Sequence, residues 1–322
     1  MSTRATRSLA RAASDGAQGK SRSYRLKGKE PATQGIRRIA CGRAEKAAEE
    51  LGEARTGSDF AASIHAARKD LKKLRAVLRL VRAELGKKVY RTENRRFRDA
   101  GRRLAQSRDA EVKRETLGAL RERFDDEFPS DLAATWLAAL ERERNEIIEG
   151  VSGGDADSLI AEMIATVEAG REEISRWPLE SDSWELVEAG LLQSYRRSRR
   201  AMKRTRSNPA PENVHEWRKR AKDLWYQLRI LRDAWPPVIT ATAEQAHELA
   251  DLLGDHHDLA VLADDLAARE INGDRDAAKD LIDRRQGELL KCAFEVGERL
   301  FAEKPKAFRS RFEAYWLAWR PA

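Results

Sequence analysis

Two stretches of the sequence repeat each other. His65-Ala66-Ala67-Arg68-Lys69-Asp70-Leu71-Lys72-Lys73-Leu74-Arg75 returns as His215-Glu216-Trp217-Arg218-Lys219-Arg220-Ala221-Lys222-Asp223-Leu224-Trp225. The match continues through Leu78/Leu228 and Arg79/Arg229 to Arg82/Arg232. A second block follows each copy: Leu104–Val112 parallels Leu253–Val261, with Asp109 and Asp258 in register. Two blocks in one order at nearly equal spacing imply duplication. A duplicated chain folds as two related halves, here split near residue 180: residues 31–180 and 181–322, after a basic tail at 1–30.

The period inside the halves is helical. Ala, Leu, Glu and Arg dominate, Val and Ile are sparse, and runs alternating at period two are missing. Punctuation divides the chain at Pro31, Thr56–Asp59, Gly86, Phe128–Asp131, Ser152–Asp155, Trp177-Pro178, Asn208–Pro211, Trp235–Pro237, Asn272–Asp274 and Lys304-Pro305. The expected fold is all-α: two antiparallel helical bundles related by a pseudo-twofold axis. Asn213 with Glu216 reads as a capping pair before the second His helix. Asp109 and Asp258 read as N-caps of the helices that follow them.

On a helical wheel His65, Arg68, Lys72, Arg75, Arg79 and Arg82 fall in one arc beside Leu71, Leu74, Leu78, Val81 and Leu85. The second copy places His215, Arg218, Lys222, Arg229 and Arg232 beside Ala221, Leu224 and Leu228. Lys69 and Lys219 flank the two arcs. Like charges at i,i+4 repel by a few tenths of a kcal/mol per pair, so a surface tuned for stability would intersperse Glu. Further basic rows are Arg91, Arg95, Arg98 and Arg102, then Arg196, Arg199, Arg200 and Lys203. If these faces turn inward they line a basic trough. Arginine forks and mobile lysines suit a dense phosphate polymer.

The composition excludes other classes. The formal net charge is +8, and charged residues make up 36% of the chain. Two distant cysteines, Cys41 and Cys292, are no disulfide framework and fit a reducing, cytoplasmic compartment. No apolar run is long enough to span a membrane. The first thirty residues read as a disordered basic tail, or as a transit peptide. Gly-x-Ser-x-Gly and phosphate-loop motifs are absent. His256-His257-Asp258 invites a metal reading, but Ser107 and Arg108 take the histidine places in the first copy, and arginine binds no metal. No cofactor or metal is expected, and no acidic cluster is expected to face either stripe. A nucleic-acid reader would set Asn or Gln beside the cations to reach base edges; both stripes lack them.

These blocks resemble the CHAD domain, the conserved histidine α-helical domain family. The likeness rests on His-x-x-Arg-Lys-x-x-Lys-x-Leu, the Arg-Asp or His-Asp block, Leu191–Arg200 before the second His, and Tyr24-Arg25-Leu26 with Glu30. It implies two pseudo-twofold bundles, a basic surface for inorganic polyphosphate, and association with polyphosphate granules. Some relatives carry a triphosphatase domain with Glu-x-Glu-x-Lys; no such signature occurs here, so the resemblance implies binding without catalysis. Nucleic acid, on the same cations, is the other partner to weigh. The chain departs from the pattern at Trp225, where the family is usually basic; that ring is expected to meet the core edge or an arginine. The two histidines, His65 and His215, fit either a ligand or a structural role. Oligomeric state is not legible.

Overall fold

The computed structural model describes residues 22–56, 59–103, 109–151 and 154–320. Among the described residues there are eleven α-helices and no strand. The first cluster is α1 Ala32–Thr56, α2 Phe60–Leu80, α3 Arg82–Arg103, α4 Asp109–Arg123, α5 Ser130–Val151 and α6 Gly154–Ile174. The second is α7 Glu185–Ser207, α8 Pro211–Leu231, α9 Pro236–Ala268, α10 Arg275–Leu300 and α11 Pro305–Trp319. A 3₁₀ turn over Arg232–Ala234 joins α8 to α9. The all-α duplicated fold read from the repeat is the fold observed. In chain order α1 matches α7, α2 matches α8, α5 matches α10 and α6 matches α11. The 33-residue α9 stands where α3 and α4 stand together in the first cluster.

Local chemistry sets the breaks. Pro211, Pro236 and Pro305 occupy first-turn positions, where a missing N–H costs nothing. Asp59 caps α2 by accepting from the Ala62 N–H at 3.0 Å, and Asp274 caps α10 through the Ala277 N–H at 2.9 Å. The helix expected to end near Gly86 stops at Leu80. Val81 closes it, and the chain resumes at once as α3. Gly86, at φ +68°, then bends α3 in a region that favours glycine.

Two of the expected caps are corrected. Asn213 lies inside the first turn of α8, and Ala210 holds the cap position. With Pro211 starting the helix, the Asn213 amide reaches back to the Asn208 carbonyl at 3.0 Å. Asp258 lies in the middle of α9, because no residue breaks that helix between Pro237 and Ala268. In the first cluster α4 does begin at Asp109; Leu104–Arg108, including the Ser107 and Arg108 of the repeat, lie outside the described residues.

The two clusters share their cores. The main core takes residues from α1, α2, α3, α6, α7, α8, the first part of α9, the last part of α10, and α11. A second core joins Leu117, Leu120, Trp136 and Leu140 of α4–α5 to Leu262, Leu266, Ala278 and Ile282 of α9–α10. These are matching pieces of the two halves. Asp265 pins them: it accepts from Lys113 Nζ at 2.7 Å and from Trp136 Nε1 at 2.9 Å. Burying apolar surface at about 25 cal/mol per Å² is what holds such a seam, so neither cluster retains a closed core without the other.

Residues 22–30, grouped with the tail by composition, belong to the folded body. Leu26 is fully buried and its N–H donates to the Ile230 carbonyl at 2.9 Å. Arg320 clamps the segment from the other end of the chain, donating to the Lys27 and Glu30 carbonyls at 2.6 and 2.8 Å. Residues 1–21 of the expected tail lie outside the described residues.

The clusters meet where α2 and α7 cross close to α8. A Cβ on Gly190 of α7 would fall 1.9 Å from the Leu80 carbonyl oxygen. Backbone cannot step aside as a flexible side chain does. Gly190→Ala is expected to destabilise the protein by about 3 kcal/mol or more, above the ordinary range for overpacking, read as a lowered denaturant midpoint. A midpoint within experimental error of the parent would show that this approach does not hold the halves together.

Candidate functional site

The crossing brings cations together from four helices. Arg75 and Arg79 come from α2, Arg82 and Arg98 from α3, Arg197 from α7 and Arg220 from α8. Arg75 Nε donates to Asn94 Oδ1 at 3.1 Å. Burial, then the neighbouring Arg79 charge, pushes the Arg75 guanidinium down to about 10; Arg98 adds to the effect. Arg82 donates to Gln193 Oε1 at 2.5 Å and lies over the Tyr90 ring at 5.0 Å. Burial lowers Arg197 too, followed by Arg220 and Arg82.

Asp223 is the carboxylate shared across the halves; Glu216 holds Arg220 from within α8 at 2.5 Å, and Asp99 holds Arg98 at 2.8 Å. Arg79 Nη1 reaches Asp223 Oδ1 at 3.0 Å, across the two halves, and Arg220 holds the other oxygen at 3.1 Å. An acid therefore does face the stripes, contrary to the sequence expectation. Asp223 occupies the place of Lys73 in the repeat. Asp70 and Lys73 of α2 form an i,i+3 pair at 3.0 Å, and Arg220 and Asp223 of α8 form the same pair with the signs exchanged. The duplication kept an ion pair and inverted it, which turned an acid toward Arg79.

The opposite end of the crossing has a different chemistry. Arg229, the counterpart of Arg79, finds aromatic faces instead of a carboxylate: Trp225 at 5.4 Å and Tyr24 at 5.6 Å. Lys73 and Arg43 also approach the Tyr24 ring, each at 5.8 Å. Burial pushes Lys73 down to about 8, against the support of Asp70. Trp225 packs on Tyr226 at 4.5 Å and His247 at 3.9 Å. Both alternatives weighed for Trp225, core edge and arginine stacking, therefore hold.

The remaining stripe residues spread along the two helices. Lys69 and Lys72 are exposed, and His65 and Arg68 are half-buried on α2. Lys222 is half-buried on α8. Arg218 passes over Gly254 and reaches Asp258 at 3.9 Å; Lys219 pairs with Glu216 at 2.8 Å. On α3, Arg95 and Arg102 are exposed and Arg98 bonds Asp99 at 2.8 Å. Arg196, Arg199, Arg200 and Lys203 turn toward α11, where they line a cavity with Pro305. Arg197, one residue along, is the member of that run whose electrostatic neighbours are at the crossing. The helical wheels of α7 and α8 did not bring in Arg197 or Arg220. Amides also stand beside the cations, Asn94 and Gln193, supplied by α3 and α7. Both carbonyl oxygens already accept from arginine.

The profile of the CHAD domain family matches residues 38–267. The chain belongs to the CHAD family. The crystal structure of the CHAD domain from the plant Ricinus communis is similar, with a TM-score of 0.49 and 18% identity, over 93% of this chain and 97% of that one. No curated protein matches the sequence. CHAD domains are non-catalytic modules with a polyphosphate-related role. Among the described residues of this CHAD chain, no group of three or more His, Cys, Asp or Glu could hold a metal ion. No helix of the described residues is long and apolar enough to cross a membrane.

The second family histidine is held neutral. His215 stacks on His257 with ring centroids 4.3 Å apart, and its Nδ1 is buried without a hydrogen-bond partner. Burial, then His257, Lys219 and Arg218, pushes its pKa down to about 4, with Glu216 opposing. His256, the buried chain neighbour of His257, is lowered by burial and by His257. Between the ordinary value near 6.5 and about 4 the unfolded chain binds a proton that folded His215 refuses. Stability from this group is therefore full above pH 6.5 and falls as pH drops through that window. Denaturation midpoints measured from pH 7 to pH 4 should decline for the parent and decline less for His215→Gln. Parallel curves for the two proteins would remove His215 as a cause.

Proposed function

We propose that this CHAD chain binds inorganic polyphosphate at the α2–α8 crossing, and that this binding brings it to polyphosphate granules. The observation that supports the reading is the gathering of Arg75, Arg79, Arg197 and Arg220 around Asp223, with Arg82 and Arg98 beside them; the other acids close by, Glu216 and Asp99, pair with Arg220 and Arg98. Folding has paired most other arginines with acids, as in Arg22–Glu49 and Arg284–Glu127. At the crossing the cations outnumber the acids, and burial and mutual repulsion depress Arg75 and Arg197. A phosphate polymer relieves that repulsion. It supplies oxygens that arginine forks match two at a time, and it gains further from counterion release. The exposed Lys69 and Lys72 extend the positive surface along α2.

The geometry sorts which cations a binding variant should remove. Arg79 also joins the halves through Asp223, and Arg229 is engaged with aromatic rings, so neither is a clean probe. Among the described residues Arg75, Arg98 and Arg197 hold no inter-half ion pair, and Lys72 is exposed on α2. Each charged hydrogen bond lost costs roughly 1.5–3 kcal/mol, less where exposed. The Lys72→Ala, Arg75→Ala, Arg98→Ala, Arg197→Ala variant is expected to keep the parent's circular dichroism and lose at least tenfold in affinity for long-chain polyphosphate. Parent affinity should fall steeply with salt, and duplex DNA should compete poorly at fixed salt. A folded quadruple variant that binds as tightly as the parent would sink this reading of the site; efficient displacement by DNA would replace the ligand with nucleic acid. With Mg²⁺, Mn²⁺ or Zn²⁺ added, the protein should release no phosphate from the bound polymer. Turnover that co-purifies with the protein and disappears in Asp258→Ala would contradict the non-catalytic reading.

A further inference from the structure

The α7 row leads to a second site. Arg196, Arg199, Arg200 and Lys203 line a concave surface closed on one side by Pro305, where α11 begins. Its volume is about 180 Å³, several times the ~30 Å³ share of one water molecule, so a phosphate group fits. None of the four cations forms an ion pair among the described residues. Arg199 Nε donates to the Phe301 carbonyl at 3.1 Å, which fixes its guanidinium over the α10–α11 turn. Arg200 Nε reaches only its own helix, at the Arg196 carbonyl.

The surrounding arginines behave differently. Arg206 pairs with Glu298 at 2.6 Å, Arg309 with Glu188 at 2.6 Å and Arg311 with Glu303 at 2.6 Å. Acids are thus at hand on α7, on α10 and in the α10–α11 turn, and each goes to a neighbour of the cavity. Glu303 lies two residues from Pro305, and it binds Arg311 through both oxygens. The cavity keeps four uncompensated charges on adjacent turns. Lys304 and Lys306, both exposed, flank Pro305 in the chain. On α7 the flank holding these four is centred about 110° from Arg197 at 100° per residue, so it faces α11 and not the crossing.

We propose that the α7–α11 cavity is a second phosphate-binding site, separate from the crossing, so that one chain engages polyphosphate on two faces. Its ligand class rests on the proposed function, but its geometry does not depend on the crossing. A chain with two such faces cross-links long polymers, which a single trough does not.

Calorimetry with tripolyphosphate separates the two ideas. The parent should bind two equivalents. Arg196→Ala with Arg200→Ala and Lys203→Ala, all three exposed, should bind one. The crossing variant described above should also bind one, at the cavity. With long-chain polyphosphate the parent should raise light scattering, and each variant should raise it at least fivefold less. One equivalent in the parent, abolished by the crossing variant and untouched by the cavity variant, would overturn the second site. Loss of all binding in the cavity variant, with none lost in the crossing variant, would overturn the crossing as the site and leave the cavity standing. If the triple variant misfolds, Lys203→Glu alone supplies the test, with tripolyphosphate stoichiometry as its readout.

Discussion

Asp223 carries the electrostatics of the crossing. It touches Arg79 from the other half and Arg220 on its own helix, with Arg75 and Arg197 close enough for its charge to support theirs. Arginines from four helices could not be packed side by side without some anion among them. Coulomb repulsion between two cations 4 Å apart is of order 4 kcal/mol at the effective dielectric of a protein surface. A single carboxylate offsets part of that and leaves the remainder. Two properties of arginine make the remainder tolerable: its charge is delocalised and weakly hydrated, and its stem packs on apolar surface. The fold depends on this balance. At the crossing Asp223 joins the halves through Arg79, and the acids there are too few to satisfy all the cations.

The duplication makes the balance one-sided. A symmetric protein would repeat Arg79–Asp223 as an ion pair between Arg229 and residue 73. Residue 73 is a lysine, so no such pair can form. Tyr24, from the segment before α1, stands in that gap and offers its ring to Arg229, Lys73 and Arg43. Trp225 fills the place of Arg75. One end of the pseudo-twofold crossing is thus spent on aromatic packing, and the open cationic basin lies at the other. The inversion of the Asp70–Lys73 pair into Arg220–Asp223 decides which end is which.

Much of the fold was legible because its cause is local. Period, proline and capping aspartates act within a few residues, so most of the breaks and the helical class could be read directly. Register between helices is not local. Arg79 and Asp223 are 144 positions apart, and nothing in either neighbourhood announces the other. The wheel correctly grouped Arg196, Arg199, Arg200 and Lys203 on one flank of α7. It could not say that the flank faces α11, since that depends on where Tyr195 stacks on Phe308 and turns the helix. Asp258 was misread as a cap for a related reason. Its repeat partner Asp109 begins a helix, yet the second half runs α9 through without a break. Aligning Asp70/Lys73 with Arg220/Asp223 was possible from sequence alone, and the exchanged signs were the one available hint that an acid enters the basic face.

The neutral histidine bears on what kind of binder this is. Were His215 a cation at neutral pH, affinity for a polyanion would track its titration. Burial against His257, with Lys219 and Arg218 alongside, holds it uncharged well below neutrality. The positive surface is then made of lysine and arginine alone. Lys73, whose pKa falls to about 8, is fully buried beside Asp70 and contributes little outward field. Arg75, even when lowered to about 10, stays charged across physiological pH. The basin therefore keeps constant charge over the range in which an imidazole would switch. Such a surface responds to ionic strength, through counterion release, far more than to pH. That is the behaviour the proposed polyphosphate binding would show, with a neutral His215 adding no charge to it.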